Sequence, residues 1–131
     1  MRTIKFEVTQ EIPIIDAKVF GPLGSRNVRL VFDTGAGFTQ IDTSLMEELG
    51  YSASASNEII RVQGPAGDFQ DGHIVSLQNL KVFGKQFKDI AIGVYDFDNF
   101  DQYGIDGLLG FDVIKQLHLE MNGPDGILKI F

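Results

Sequence analysis

The stretch Asp33-Thr34-Gly35-Ala36-Gly37 constrains this chain more than any other. It follows Val28 to Phe32, a run of strand-forming residues. A carboxylate therefore stands at the tip of a strand, and the chain turns tightly beneath it. Gly35 can adopt backbone angles closed to other residues and lets a second backbone approach. Its N–H, or the Thr34 hydroxyl, can hydrogen-bond Asp33 and fix the direction of the carboxylate. An acid on a rigid, glycine-lined turn is how a reactive group is held in place. The same residues also fit an ordinary Asx-type turn, so other parts of the chain must decide between the two readings.

A chain of 131 residues suffices for one domain that buries about two-thirds of its unfolded surface. Hydrophobic residues make up 44%, and mean hydropathy is +0.04, which predicts a soluble globular protein. The net charge of -7, with no basic run, argues against nucleic acid and anionic membranes as partners. With no cysteine, disulfides, thiol catalysis and cysteine metal sites drop out. The first residues alternate polar and apolar and do not form a leader, and no apolar run reaches membrane-spanning length. The expected location is the cytoplasm, either as a single domain over 1–131 or as one domain of a longer protein.

Along the chain, Ile4, Phe6 and Val8 alternate as in a half-buried strand, and Ile12 to Phe20 reads as a second. Residues 21–27 carry turn chemistry, and Asn27 to Phe32 is the strand that ends in Asp33. Ser44 and Glu47 read as a capping box with Ser44 as N-cap. The helix would bury Leu45, Met46 and Leu49 and stop at Gly50. Asn57 to Gln63 and Phe69 to Leu77 predict a hairpin with Gly64-Pro65-Ala66-Gly67 at its tip. Leu80 to Phe83 and Phe87 to Val94 predict two more strands around a turn at Gly84-Lys85. After an acidic, aromatic loop over 96–106, Leu108-Leu109-Gly110 leads into a second helix with Val113, Ile114 and Leu117 on one face. Leu117 to Met121 and Ile127 to Phe131 form a closing hairpin. The prediction is an all-β chain with two short helices. Each half carries strands, a glycine-bounded turn and a helix, a faint internal echo.

Asp33-Thr34-Gly35-Ala36 after an apolar strand, a glycine-tipped hairpin, and Leu108-Leu109-Gly110 opening a helix together resemble the retropepsin-like aspartic protease family. The resemblance spans about Ile12 to Phe131, and the closing hairpin makes the chain look more like cellular and bacterial members than viral ones. It implies a single-domain acid-protease fold of closed, barrel-like sheets with a flap hairpin. Asp33 would be the catalytic carboxylate. Thr34 would brace the active-site loops across a dimer interface, and Gly35 would bring its backbone near substrate. Ala36, the flap residues Gly64, Pro65, Ala66 and Gly67, and Leu108 would contact a peptide. Gly110 would permit a close loop crossing. Two departures stand out. Many relatives carry Ser, Thr or Asp where this chain has Gly37. Viral members often pair an acid there with an arginine at the position of Phe111, an ion pair this chain cannot form.

The implied chemistry needs two facing carboxylates, and the chain has one Asp-Thr-Gly. Asp106-Gly107 lacks both the Thr and the preceding strand, so the second carboxylate must come from a second copy in a symmetric homodimer. The implied function is peptide-bond hydrolysis without cofactor or metal. The alternative is a catalytically silent dimeric module of the same fold that binds peptides. A calcium site at Asp96, Asp98, Asp101 and Asp106 is a weaker reading, because the loop lacks EF-hand spacing. His73 and His118 read as strand or surface residues.

Overall fold

The computed structural model describes residues 1–7, 11–52, 59–63, 69–97 and 104–131. Ten strands and two short helices are assigned among them: β1 (Arg2–Lys5), β2 (Ile14–Gly21), β3 (Gly24–Phe32), β4 (Gln40–Asp42), α1 (Thr43–Glu48), β5 (Ile59–Gln63), β6 (Phe69–Val82), β7 (Lys85–Tyr95), β8 (Gly107–Leu109), α2 (Phe111–Ile114), β9 (Leu119–Asn122) and β10 (Ile127–Ile130). Six strands close a ring in the order β2-β3-β8-β4-β7-β6, with β6 returning to β2. The predicted closed all-β fold is the one observed. No described helix is long and apolar enough to cross a membrane.

The ring forms because its strands alternate. Ile15, Ala17 and Val19 on β2, Val28, Leu30 and Phe32 on β3, Ile41 on β4, Ile92 and Val94 on β7, and Leu109 on β8 all enter one core. Residues between them face the other way, as period-two pleating requires. Two pairings in the ring are parallel, β3 with β8 and β4 with β7; the rest are antiparallel. A separate antiparallel sheet, β1-β10-β9, lays Leu128 and Ile130 onto the same core. The β5–β6 hairpin extends from the ring, closing on the Gln63–Phe69 pair.

Several predicted boundaries shift, each for a physical reason. The turn expected over 21–27 shrinks to Pro22-Leu23, because β2 and β3 continue their ladder to the Gly21–Gly24 pair. Ser25, Arg26 and Asn27 are polar on both faces and look like loop, yet they are strand in an exposed ribbon. The helix N-cap is Asp42, not Ser44: the Asp42 carboxylate accepts the Ser44 N–H at 3.1 Å. Strands predicted separately as Phe69 to Leu77 and Leu80 to Phe83 are one strand, β6. The turn after it is Phe83-Gly84, both at positive φ (55° and 76°), the geometry of a two-residue hairpin loop that follows sheet twist. The second helix is a single turn, prolonged to Leu117 by i→i−3 bonds. Val8 and the hairpin tip lie outside the described residues.

Candidate active site

Two loops cross beneath Asp33. The Asp33 N–H donates to the Leu109 carbonyl at 3.0 Å, continuing the β3–β8 pairing one residue past the strand. The Gly35 N–H donates to Asp33 Oδ1 at 2.9 Å and orients the carboxylate, as the turn chemistry predicts. The Ala36 N–H returns to the Asp33 carbonyl at 3.3 Å, and the Phe111 N–H reaches the Ala36 carbonyl at 2.7 Å. At the crossing there is no room for a side chain. A Cβ on Gly110 would fall 2.4 Å from the Phe38 carbonyl carbon, and one on Gly107 would fall 2.1 Å from the Gln40 carbonyl oxygen. Both glycines are therefore fixed by the close approach of two backbones.

The crossing is pinned by a side-chain network between fully buried Thr39 and half-buried Asp112. Asp112 Oδ1 accepts from the Thr39 N–H at 3.0 Å, the Thr39 hydroxyl at 2.9 Å and the Val113 N–H at 2.9 Å. Thr39 Oγ in turn accepts the Gly110 N–H at 3.1 Å. A polar group buried this deeply is stabilising only when its donors and acceptors are matched, as here.

The residue-15-to-113 stretch matches the family model described as Aspartyl protease. The chain belongs to this aspartyl protease family. No curated protein matches it significantly. Among solved structures, a retropepsin-like aspartic protease from Rickettsia conorii aligns with a TM-score of 0.65 at 18% identity, covering 98% of this chain and 87% of that one. The retroviral protease-like domain of Ddi1 from Leishmania major aligns with a TM-score of 0.61 at 15% identity, covering 91% and 87%. At such identities the likeness concerns the fold, which is retropepsin-like and shared with a bacterial and a cellular member.

Within this aspartyl protease fold, Asp33 is half-buried, Thr34 and Gly35 are exposed, and Ala36 is half-buried. Leu108 is half-buried and touches two small apolar clusters, one with Ile14, Val31 and Ile105, the other with Tyr95 and Phe97. Asp33 and Leu108 share one face. Leu108 pairs with Val31, and Asp33 lies two residues beyond Val31. The flap residues Gly64, Pro65, Ala66 and Gly67 lie outside the described residues, as do Asp98 and Asp101. Asp106 Oδ2 is engaged by the Arg29 N–H at 2.8 Å. No described group of three or more His, Asp or Glu side chains could hold a metal. His118 stacks on Phe131, with ring centroids 4.7 Å apart.

Three further residues at this candidate site, Thr39, Asp112 and Tyr95, carry no local sequence signal. Tyr95 packs against Phe97 in a tilted pair, with ring centroids 4.1 Å apart and planes at 35°. Burial pushes its phenol up to about 12, and the Asp33 charge adds to that shift, so the ring stands within electrostatic reach of the carboxylate. Phe38 and Phe111 flank the loop crossing and are exposed, in the region where viral relatives carry the ion pair.

Proposed function

We propose that this protein is an aspartic endopeptidase that works as a symmetric homodimer. The observation that carries the reading is the Asp33 carboxylate, fixed by the Gly35 N–H above a glycine-tight loop crossing and supplied once per chain. Two such carboxylates meeting on a two-fold axis share one proton, a pattern for which aspartic proteases are the standard illustration. The ionised one takes a proton from a water held between them. The resulting hydroxide attacks the peptide carbonyl, polarised by the protonated partner, and the departing amine is then protonated. No covalent intermediate forms. Thr34, which is exposed, would brace the second copy's loop. Leu108 supplies an apolar wall for a side chain beside the cleaved bond, and the β5–β6 hairpin is the element suited to cover an extended peptide.

Mixing subunits tests the reading. Asp33→Asn keeps an oxygen for the Gly35 N–H but cannot ionise. With excess mutant and verified subunit exchange, peptide cleavage at mildly acid pH should fall as the square of the wild-type fraction. A linear fall would mean that each chain acts alone. Cleavage by neither pure wild type nor mixtures would favour the silent peptide-binding module.

A further inference from the structure

Gln40 is the described residue whose burial is hardest to explain by the fold alone. It is only 8% exposed, and its Oε1 accepts no hydrogen bond. An amide oxygen removed from water without a donor weakens the folded state, and an apolar side chain of the same size would relieve that penalty. The oxygen is thus poised for a donor that no described residue supplies.

The sheet register says where that donor enters. Ile41 is in the main core, so its neighbour Gln40 points to the opposite face. There its direct cross-strand partners are Leu108 on β8 and Gly93 on β7. Leu108 pairs with Val31, which precedes Asp33 by two residues on that face. Tyr95 follows Gly93 by two residues on β7. Gln40 therefore lies on the face that carries Asp33, Leu108 and Tyr95. Gly93 places no side chain beside its amide.

We propose that Gln40 is a specificity-determining residue. Its amide oxygen accepts a hydrogen bond from a neutral polar side chain of the peptide (Ser, Thr, Asn or Gln) close to the cleaved bond. The assignment rests on the proposed peptide-binding role of this face. The apolar flank at Leu108 sharpens the choice, since a missing donor is costly where water cannot substitute. The same flank disfavours an ammonium donor, which would lose its hydration there.

The test uses peptide pairs that differ only in Thr against Val or Asn against Leu, placed in turn at each position around a cleavable core. Wild-type kcat/KM should favour the polar member by about tenfold or more at one position. Gln40→Met should erase that preference there and raise Tm by about 2–4 °C, because the unpaired oxygen is gone. Binding of the same pairs to Asp33→Asn and to Asp33→Asn/Gln40→Met separates recognition from catalysis. A polar preference in binding that Gln40→Met removes supports the assignment even if wild type cleaves nothing. Equal ratios for both chains at every position, or a fall in Tm for Gln40→Met, would overturn it. So would the absence of any peptide binding.

Discussion

Asp112 shows how much of the site depends on one carboxylate far from Asp33 in sequence. One oxygen takes three donors, two from Thr39 and one from Val113. Asp112→Ala leaves those donors unmatched, two of them on a residue with no solvent exposure. The expected loss is about 2–3 kcal/mol of unfolding free energy by urea titration. Asp112→Asn keeps an accepting oxygen and should lose about 1 kcal/mol or less. Equal losses for the two variants would mean that the charge, not the acceptor, holds the crossing. The contrast with Asp33 explains what the sequence could reveal at this scale. The Gly35–Asp33 bond joins residues two apart, and turn chemistry predicts it. The Thr39–Asp112 bond spans 73 residues, and no local pattern announces a contact that only the loop crossing creates. Tyr95 and Gln40 were obscured in the same way, since each reads as an ordinary strand position until the register is known.

At the scale of elements, alternation found the strands but not their continuity. Val75 and Leu77 face inward at odd positions, whereas Leu80 and Val82 do so at even ones, a slip of phase between the two stretches that the sequence presents as separate strands. The structure instead carries β6 through the slip. The register passes from Leu77–Ile90 to Asn79–Lys88, and opposite Gln78 the partner strand has Asp89 at φ 53°. Tyr51 steadies the distortion: its hydroxyl accepts the Gln78 N–H at 3.0 Å and donates to the Phe20 carbonyl at 2.5 Å. One phenol thus ties β6 to the end of β2. Tyr51→Phe keeps the ring but strands both backbone groups, so the fold should lose about 1–3 kcal/mol in the same urea assay. No change in the midpoint would show that water replaces the hydroxyl. Helix ends were blurred for a related reason. Asp42 outcompetes Ser44 as cap because it is also held by the Phe97 N–H at 3.0 Å, a tertiary bond.

Across the whole molecule, burial of tyrosine couples folding to alkaline pH. The Tyr95 phenol ionises near 10.0 in the open chain and is pushed up to about 12 in the fold; Tyr51 moves in the same direction through burial. A raised phenol pKa means that the folded state holds its proton longer. The associated stability is fully present below pH 10 and is lost as pH rises from 10 toward 12. Urea midpoints measured across this window should fall, and Tyr95→Phe should make the fall shallower. An unchanged slope would place the ring in water. The ring of strands also explains why the family fold was legible early: Asp33-Thr34-Gly35 and Leu108-Leu109-Gly110 mark the two loops that must cross, whatever happens elsewhere. One strand has a further mechanical meaning. From Asn79 to Val82, β6 is bonded on both sides, to β2 and to β7. From Phe69 to Gly72 its one partner among the described residues is β5. It is a cantilever, clamped in the barrel wall at one end and projecting at the other. A load on the projecting part would therefore bend the arm about the region near His73, where pairing with β7 begins, and leave the clamped end and the loop crossing under Asp33 in place.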